Sequence, residues 1–239
     1  MTMKNNLDDE IGVLFDEYNR SFEKLKVLQR DLMPRSLHLF NIRIRLALDV
    51  IIDFKGEISL TKSKEVRDTY ILIIRLMESW NAYEALFHYA KDINKCSNPN
   101  GGIYRAYSQM FLMEIGTLSI FRNNLEELRL KYLTEKNFKK DFVQLINRIQ
   151  EDDRIKSRLS SDCKVIMNFF EGGKDISGIE IIALIYAERN MYYHNGETAK
   201  MGMNYRNRQF LIRSLTNSFH KHMLILAKSI IDIEYNKNV

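Results

Sequence analysis

Along this chain apolar residues recur at intervals of three and four, the spacing of a helix with one buried face. Leu7, Ile11, Leu14, Tyr18, Phe22, Leu25 and Leu32 form the first such stripe, and Asp8, Asp9 and Glu10 sit where the positive end of the helix dipole favours acids. Pro34 stops it. From Ser36 a second run, Phe40, Ile44, Leu48, Ile51 and Ile52, reaches Gly56. Within it Ile42-Arg43-Ile44-Arg45-Leu46 alternates as a short strand would, but the longer period favours a helix. A third segment, from about Lys64 to Asn94, carries Val66, Tyr70, Ile73, Met77, Trp80, Glu84 and Phe87 and ends at Cys96-Ser-Asn-Pro-Asn-Gly-Gly102, the strongest loop signal in the sequence.

A fourth helix is expected from about Ile103 to Leu133, followed by shorter ones near Asn137 to Gln150 and Ile155 to Glu171, the last stopped by Gly172-Gly173. Ser177 with Glu180 three residues on is a capping box, which starts a helix from Ile179 to about His194. Its sequence IEIIALIYA is apolar nearly all round, so it belongs in the interior or at a subunit interface. A final helix runs from about Asn204 to Glu234 on a stripe of Ile212, Leu215, Phe219, Leu226, Ile230 and Ile233. With no repeat and no interdomain linker, an all-α fold is expected.

Composition agrees with this picture. Only 2 prolines and 10 glycines occur in 239 residues, too few for the turns of an all-β protein. Apolar residues at 45% and charged residues at 28% are the mix of a globular chain rather than a disordered one. No apolar run approaches the roughly 18 residues of a membrane-spanning helix, so no membrane partner is expected. The opening MTMKNNLDDE lacks a secretory signal, and Cys96 and Cys163 are too few for a disulfide scaffold; the expected location is cytoplasmic.

The net charge of +5 is mild, but its distribution is uneven. From Arg189 to His222 the chain holds Arg189, Lys200, Arg206, Arg208, Arg213 and Lys221 against the single acid Glu197. A local excess of this kind recruits phosphates, and its plain alternative is a solvated basic helix face.

The buried helix ends in Glu188-Arg-Asn-Met-Tyr-Tyr-His-Asn-Gly196, which sets strong hydrogen-bonding groups at the rim of the core. Arg189, Asn190 and His194, followed by Asn195-Gly196, resemble the motif of the HEPN superfamily, whose ribonucleases carry Arg, a polar residue, and a His after four to six intervening residues. The segment Trp80-Asn-Ala-Tyr-Glu-Ala-Leu-Phe87 is similar to the Trp-bearing helix found earlier in several of these domains. The resemblance covers about the last two thirds of the chain. It implies a HEPN-like helical bundle over residues 61–239, with residues 1–60 as an N-terminal helical elaboration, together one compact unit. It also implies RNA as partner, a homodimer, and a defence or toxin role in which a protein antitoxin is a further candidate partner. A second pair, Arg213 and His220, has six intervening residues, but Ser214 follows the Arg and the pair lies inside a regular amphipathic pattern. It reads as an ordinary helix face.

On an unbroken helix, positions 189 and 194 stand about 140° apart while 190 and 194 stack one turn apart. Either the helix breaks near Tyr192, or two copies share the site across a two-fold axis. The resemblance implies the second, and the oily helix before the motif is what such an interface would use. The chemistry these residue types suit is metal-independent cleavage of single-stranded RNA. His194 would move a proton between the ribose 2′-OH and the leaving 5′-oxygen, Arg189 would hold the phosphate, and Asn190 would orient one or the other. Tyr193, Lys200, Arg206 and Arg208 are the candidate RNA-binding residues, with Tyr192, Tyr193 and Tyr205 as stacking candidates whose plainer role is packing.

No metal and no cofactor is expected: His220 and His222 are two apart on a helix, and no phosphate-binding glycine loop or nucleophile elbow occurs. His88 reads as a core or rim histidine, and Glu151-Asp-Asp153 as a solvated turn. The rival to the ribonuclease is a non-catalytic HEPN-like binding or scaffold protein, in which Arg189, Asn190 and His194 form only a polar network.

Overall fold

A computed structural model describes residues 6–49, 52–56, 61–93, 118–152, 156–173, 176–195 and 202–239; the side chains at 193–195 lie outside the described set. Among the described residues the elements are helical throughout, and the fold is all-α. The helices are α1 (Asn6–Gln29), α2 (Arg35–Asp49), α3 (Lys64–Asp92), α4 (Leu118–Thr134), α5 (Lys136–Glu151), α6 (Lys156–Phe170), α7 (Gly178–Asn195) and α8 (Tyr205–Asn238). A 3-10 turn, Arg30–Leu32, leads from α1 to Pro34, whose carbonyl accepts the backbone N–H of Leu37 at 3.1 Å and so begins α2. The proline that ends one helix therefore opens the next, where its missing N–H costs nothing.

The ambiguous stretch at 42–46 is helical because α2 buries Leu37, Phe40, Ile44 and Ala47 at helical spacing. Ile42 and Leu46, which make the pattern look alternating, are 54% and 41% exposed. The expected fourth helix appears as α4 from Leu118; the earlier part of that expectation, 103–117, lies outside the described residues.

The two longest helices, α3 and α8, pack on each other and form the centre. Against α3 lie α2 and α7, against α8 lie α1, α4 and α7, and α5 and α6 close the side formed by α4 and α7. Trp80 is fully buried where α3, α7 and α8 meet, with its ring beside Tyr186 at 5.3 Å and Phe219 at 6.1 Å. Its indole N–H donates to Glu84 Oε1 at 2.7 Å, which satisfies the one polar atom that burial would strand. A second aromatic cluster joins Tyr132 of α4, Phe142 of α5 and Phe170 of α6. The first two helices bury Tyr18, Phe22, Leu25 and Phe40 in the same core as the rest.

The oily helix α7 is interior to the protomer. Ile181 to Ile185 and Ala187 are all buried. This decides between the two places such a helix can go: its apolar surface is spent inside one chain and offers no free face for an isologous interface.

Two histidines of α8 are buried and held neutral. Burial, with the Arg75 charge adding to it, pushes His220 down to about 3, and burial pushes His222 down to about 4. The unfolded chain takes up these protons near pH 6.5 and the folded one does not, so stability present above that pH is lost as pH falls toward 4 and then 3. Between pH 7.5 and 5.0 each histidine is expected to cost about 2 kcal/mol. Denaturant melts of His220→Gln should lose about 2 kcal/mol less than the parent over that range; an equal loss would refute the assignment.

Candidate functional site at the end of α7

The capping box at the start of α7 forms as its residue types require. The backbone N–H of Ser177 donates to Glu180 Oε2 at 2.8 Å, and Ser177 Oγ accepts from the backbone N–H of Ile179 at 3.2 Å. From this fixed start α7 runs without interruption through position 195, so the helix does not break near Tyr192. Positions 189 and 194 of one chain therefore keep the divergent register of a continuous helix.

Near its end α7 is pinned to α8 by an ion pair. Arg208 and Glu188 are joined through both guanidinium NH2 groups and both carboxylate oxygens, and their side chains are 1% and 0% exposed. Burial pushes the Glu188 carboxyl above its ordinary range and the Arg208 guanidinium opposes that shift. This corrects the expectation for Arg208, which was placed among RNA-facing residues. A fully buried ion-pair partner of Glu188 is inaccessible to a polyanion in solvent.

One residue further on, Arg189 is half-buried, and its guanidinium donates to Asn190 Oδ1 at 2.7 Å. Asn190 is itself 4% exposed. The asparagine thus holds the arginine rather than standing free beside it. Tyr192 packs edge-on against Tyr70 at 6.3 Å, and Tyr205 lies against the core, so both do packing work. Tyr193, His194 and Lys200 lie outside the described side chains.

The basic stretch from 189 to 222 does not form one field. Arg189 is bound to Asn190, Arg208 to Glu188, and Lys221 to Glu10 of α1. Arg206 is exposed beside the start of α8, where Asn204 Oδ1 caps the helix by accepting the Arg206 backbone N–H at 2.9 Å. Arg213 is exposed two turns further along. A long helix distributes charges around its whole circumference, so adjacency in sequence is not adjacency on the surface.

Sequence reasoning also passed over a second location. Arg213 and His220, read as an ordinary helix face, both line a cleft of about 700 Å³ between α1, the end of α2, the first half of α3 and α8. The available signal was the spacing of Arg213, Thr216, Asn217 and His220, which places four polar residues on one face of α8. Among the described residues no group of three His, Cys, Asp or Glu could hold a metal ion. Cys163 is a buried free thiol whose pKa burial raises to about 11, which keeps it protonated and unreactive.

Fold and site together define an all-α protein with a polar motif at the end of a buried helix. Among the described residues no helix is long and apolar enough to cross a membrane. No family model, no curated protein and no solved structure matches the chain.

Proposed function

We propose that the chain is a HEPN-like, metal-independent endoribonuclease of defence or toxin type, acting on single-stranded RNA as a homodimer. The observation that supports this reading most is the hydrogen bond that half-buried Arg189 makes to Asn190: it fixes a planar, permanently charged fork where a phosphate could reach it. In the proposed reaction His194 accepts the 2′-OH proton as the 2′-oxygen attacks phosphorus. The P–O5′ bond breaks, the 5′-oxygen takes up a proton, and the products end in a 2′,3′-cyclic phosphate and a 5′-OH. Arg189 holds the charge that builds on the non-bridging oxygens. The continuous register of α7 sets 189 and 194 on different faces of one copy, so the site needs the Arg of one protomer and the His of the other. Because α7 is spent inside the protomer, the proposed contact forms around the motif rather than along the oily helix.

The test uses the intact chain with a single-stranded RNA and its 2′-deoxy analogue, in EDTA. RNA is expected to be cut to cyclic-phosphate ends and the deoxy strand spared. Cutting of the deoxy strand, or loss of activity on chelation that a divalent ion restores, sinks the scheme. Binding should weaken with salt, and Arg206→Ala should lower the slope of log K against log salt by about one.

The non-catalytic scaffold keeps one specific observation in its favour: Asn190 is buried and already engaged by Arg189, as a purely structural network would have it. The same assay decides, since that protein cuts neither strand.

A further inference from the structure

We propose that the outer face of α2 is a self-association surface, on which two copies of the chain pair antiparallel about a two-fold axis at Ile42. The surface lies within residues 1–60, apart from the motif of α7, and the pairing does not depend on the proposed ribonuclease activity.

Arg35, Leu39, Ile42, Leu46 and Asp49 stand at i, i+4, i+7, i+11 and i+14 of α2. At about 100° per residue they fall within about 80° of arc, the seven-residue repeat by which one helix packs along another. The inner face of α2, Leu37, Phe40, Ile44 and Ala47, is already buried in the protomer. The outer face is exposed at all five positions: Leu39 is 40%, Ile42 54% and Leu46 41% exposed, and Arg35 and Asp49 stand in solvent at the two ends. Single apolar residues on a surface need no explanation, but three in line on one helix form a continuous strip left in water. The two arginines beside the strip do not shield it. Arg43 donates to both carboxylate oxygens of Glu78 of α3 at 3.1 and 2.8 Å, and Arg45 donates to Asn41 Oδ1 at 3.3 Å and lies over the Phe15 ring of α1.

The charges at the ends choose the occupant. Among the described residues neither Arg35 nor Asp49 makes an ion pair. Each also sits at the helix end that its charge does not suit, the cation at the positive N-terminus and the acid at the negative C-terminus. Both are seven residues from Ile42, about 10.5 Å to either side. An antiparallel copy centred on Ile42 therefore brings Arg35 of each chain to Asp49 of the other, sets opposite dipole ends together and lays the two apolar strips against each other. A parallel copy sets Arg35 against Arg35 and Asp49 against Asp49. A face that is apolar in the middle, positive at one end and negative at the other is complementary to itself reversed, which is what an isologous contact requires. Three half-exposed side chains make a small apolar core, so the pair is expected to dissociate at about 1 to 100 µM.

Sedimentation velocity of the intact chain at rising concentration tests the pairing. Concentration-dependent association is expected, and Ile42→Glu, which sets two carboxylates together on the axis, should remove it. If the motif of α7 also pairs two copies, Ile42→Glu leaves that dimer and removes only the larger species. Arg35→Asp and Asp49→Arg should each raise the dissociation constant about tenfold or more, because each sets like charges together twice in every pair. Their melting temperatures should stay at or above that of the parent, since both positions are exposed and each new charge suits its helix end. Mixing these two variants in equal amounts should restore association, because one carries acids at both ends of the strip and the other carries bases. The double variant Arg35→Asp with Asp49→Arg should regain it alone. Equal association of Ile42→Glu and the parent at every concentration, or no recovery on mixing the two charge variants, would overturn the proposal.

Discussion

Arg208→Ala is expected to destabilise the protein by about 3 to 5 kcal/mol, because it leaves the Glu188 carboxylate buried with its charge uncompensated. Both side chains are at most 1% exposed, so water cannot take over the lost contacts. Against a typical total stability of about 5 to 15 kcal/mol this is enough to lower expression and to bring the unfolding transition close to working temperature. Arg208→Lys should recover only part of the loss, since an ammonium cannot reproduce the two-pronged geometry. The double replacement Glu188→Leu with Arg208→Met should recover most of it, because an apolar pair of similar volume avoids the cost of desolvating two ions. Urea melts of the three variants settle the matter. If Arg208→Ala melts within about 1 kcal/mol of the parent, the pair does not tie α7 to α8 as the structure has it.

The second large effect concerns cleavage. His194→Ala and Arg189→Ala are each expected to cut RNA cleavage by about two or more orders of magnitude, the range that a lost acid–base or charge-stabilising group commands. Neither change should disturb the Glu188–Arg208 pair, so the melting temperature of His194→Ala should stay close to that of the parent. Arg189→Ala strips Asn190 of its hydrogen-bond donor and is expected to cost about 1 to 3 kcal/mol as well. Mixing the two inactive proteins gives the sharper result. If each site takes its Arg from one protomer and its His from the other, a randomly exchanged mixture regains about a quarter of the parent activity, because half the dimers are mixed and each carries one intact site. No recovery after subunit exchange would exclude a shared site, and full activity in His194→Ala would exclude the proposed chemistry.

The sequence by itself determined where most of the described helices begin and end. The Ser177–Glu180 box, Pro34 between α1 and α2, and the apolar stripes of α3 and α8 all act within a few residues of themselves, and rules of that range can be read along a single chain. It also determined that α7 has no polar face, and hence that it is buried somewhere. Which surface would bury it was open until α3, α6 and α8 were seen around it.

The fate of the charges was decided only by the tertiary structure. Arg206 and Arg208 are equivalent by composition and two residues apart, yet one is exposed and the other fully buried, because Arg208 meets an acid twenty residues earlier on α7. His220 looks like any histidine on an amphipathic helix until Ser79, 141 residues away in sequence, fixes its ring and α1 closes a cleft over its face. Helix periodicity states which residues share a face and is silent about what that face meets. Burial, ion pairing and clefts arise between faces, so their locations follow from how the helices pack and not from the pattern within any one of them.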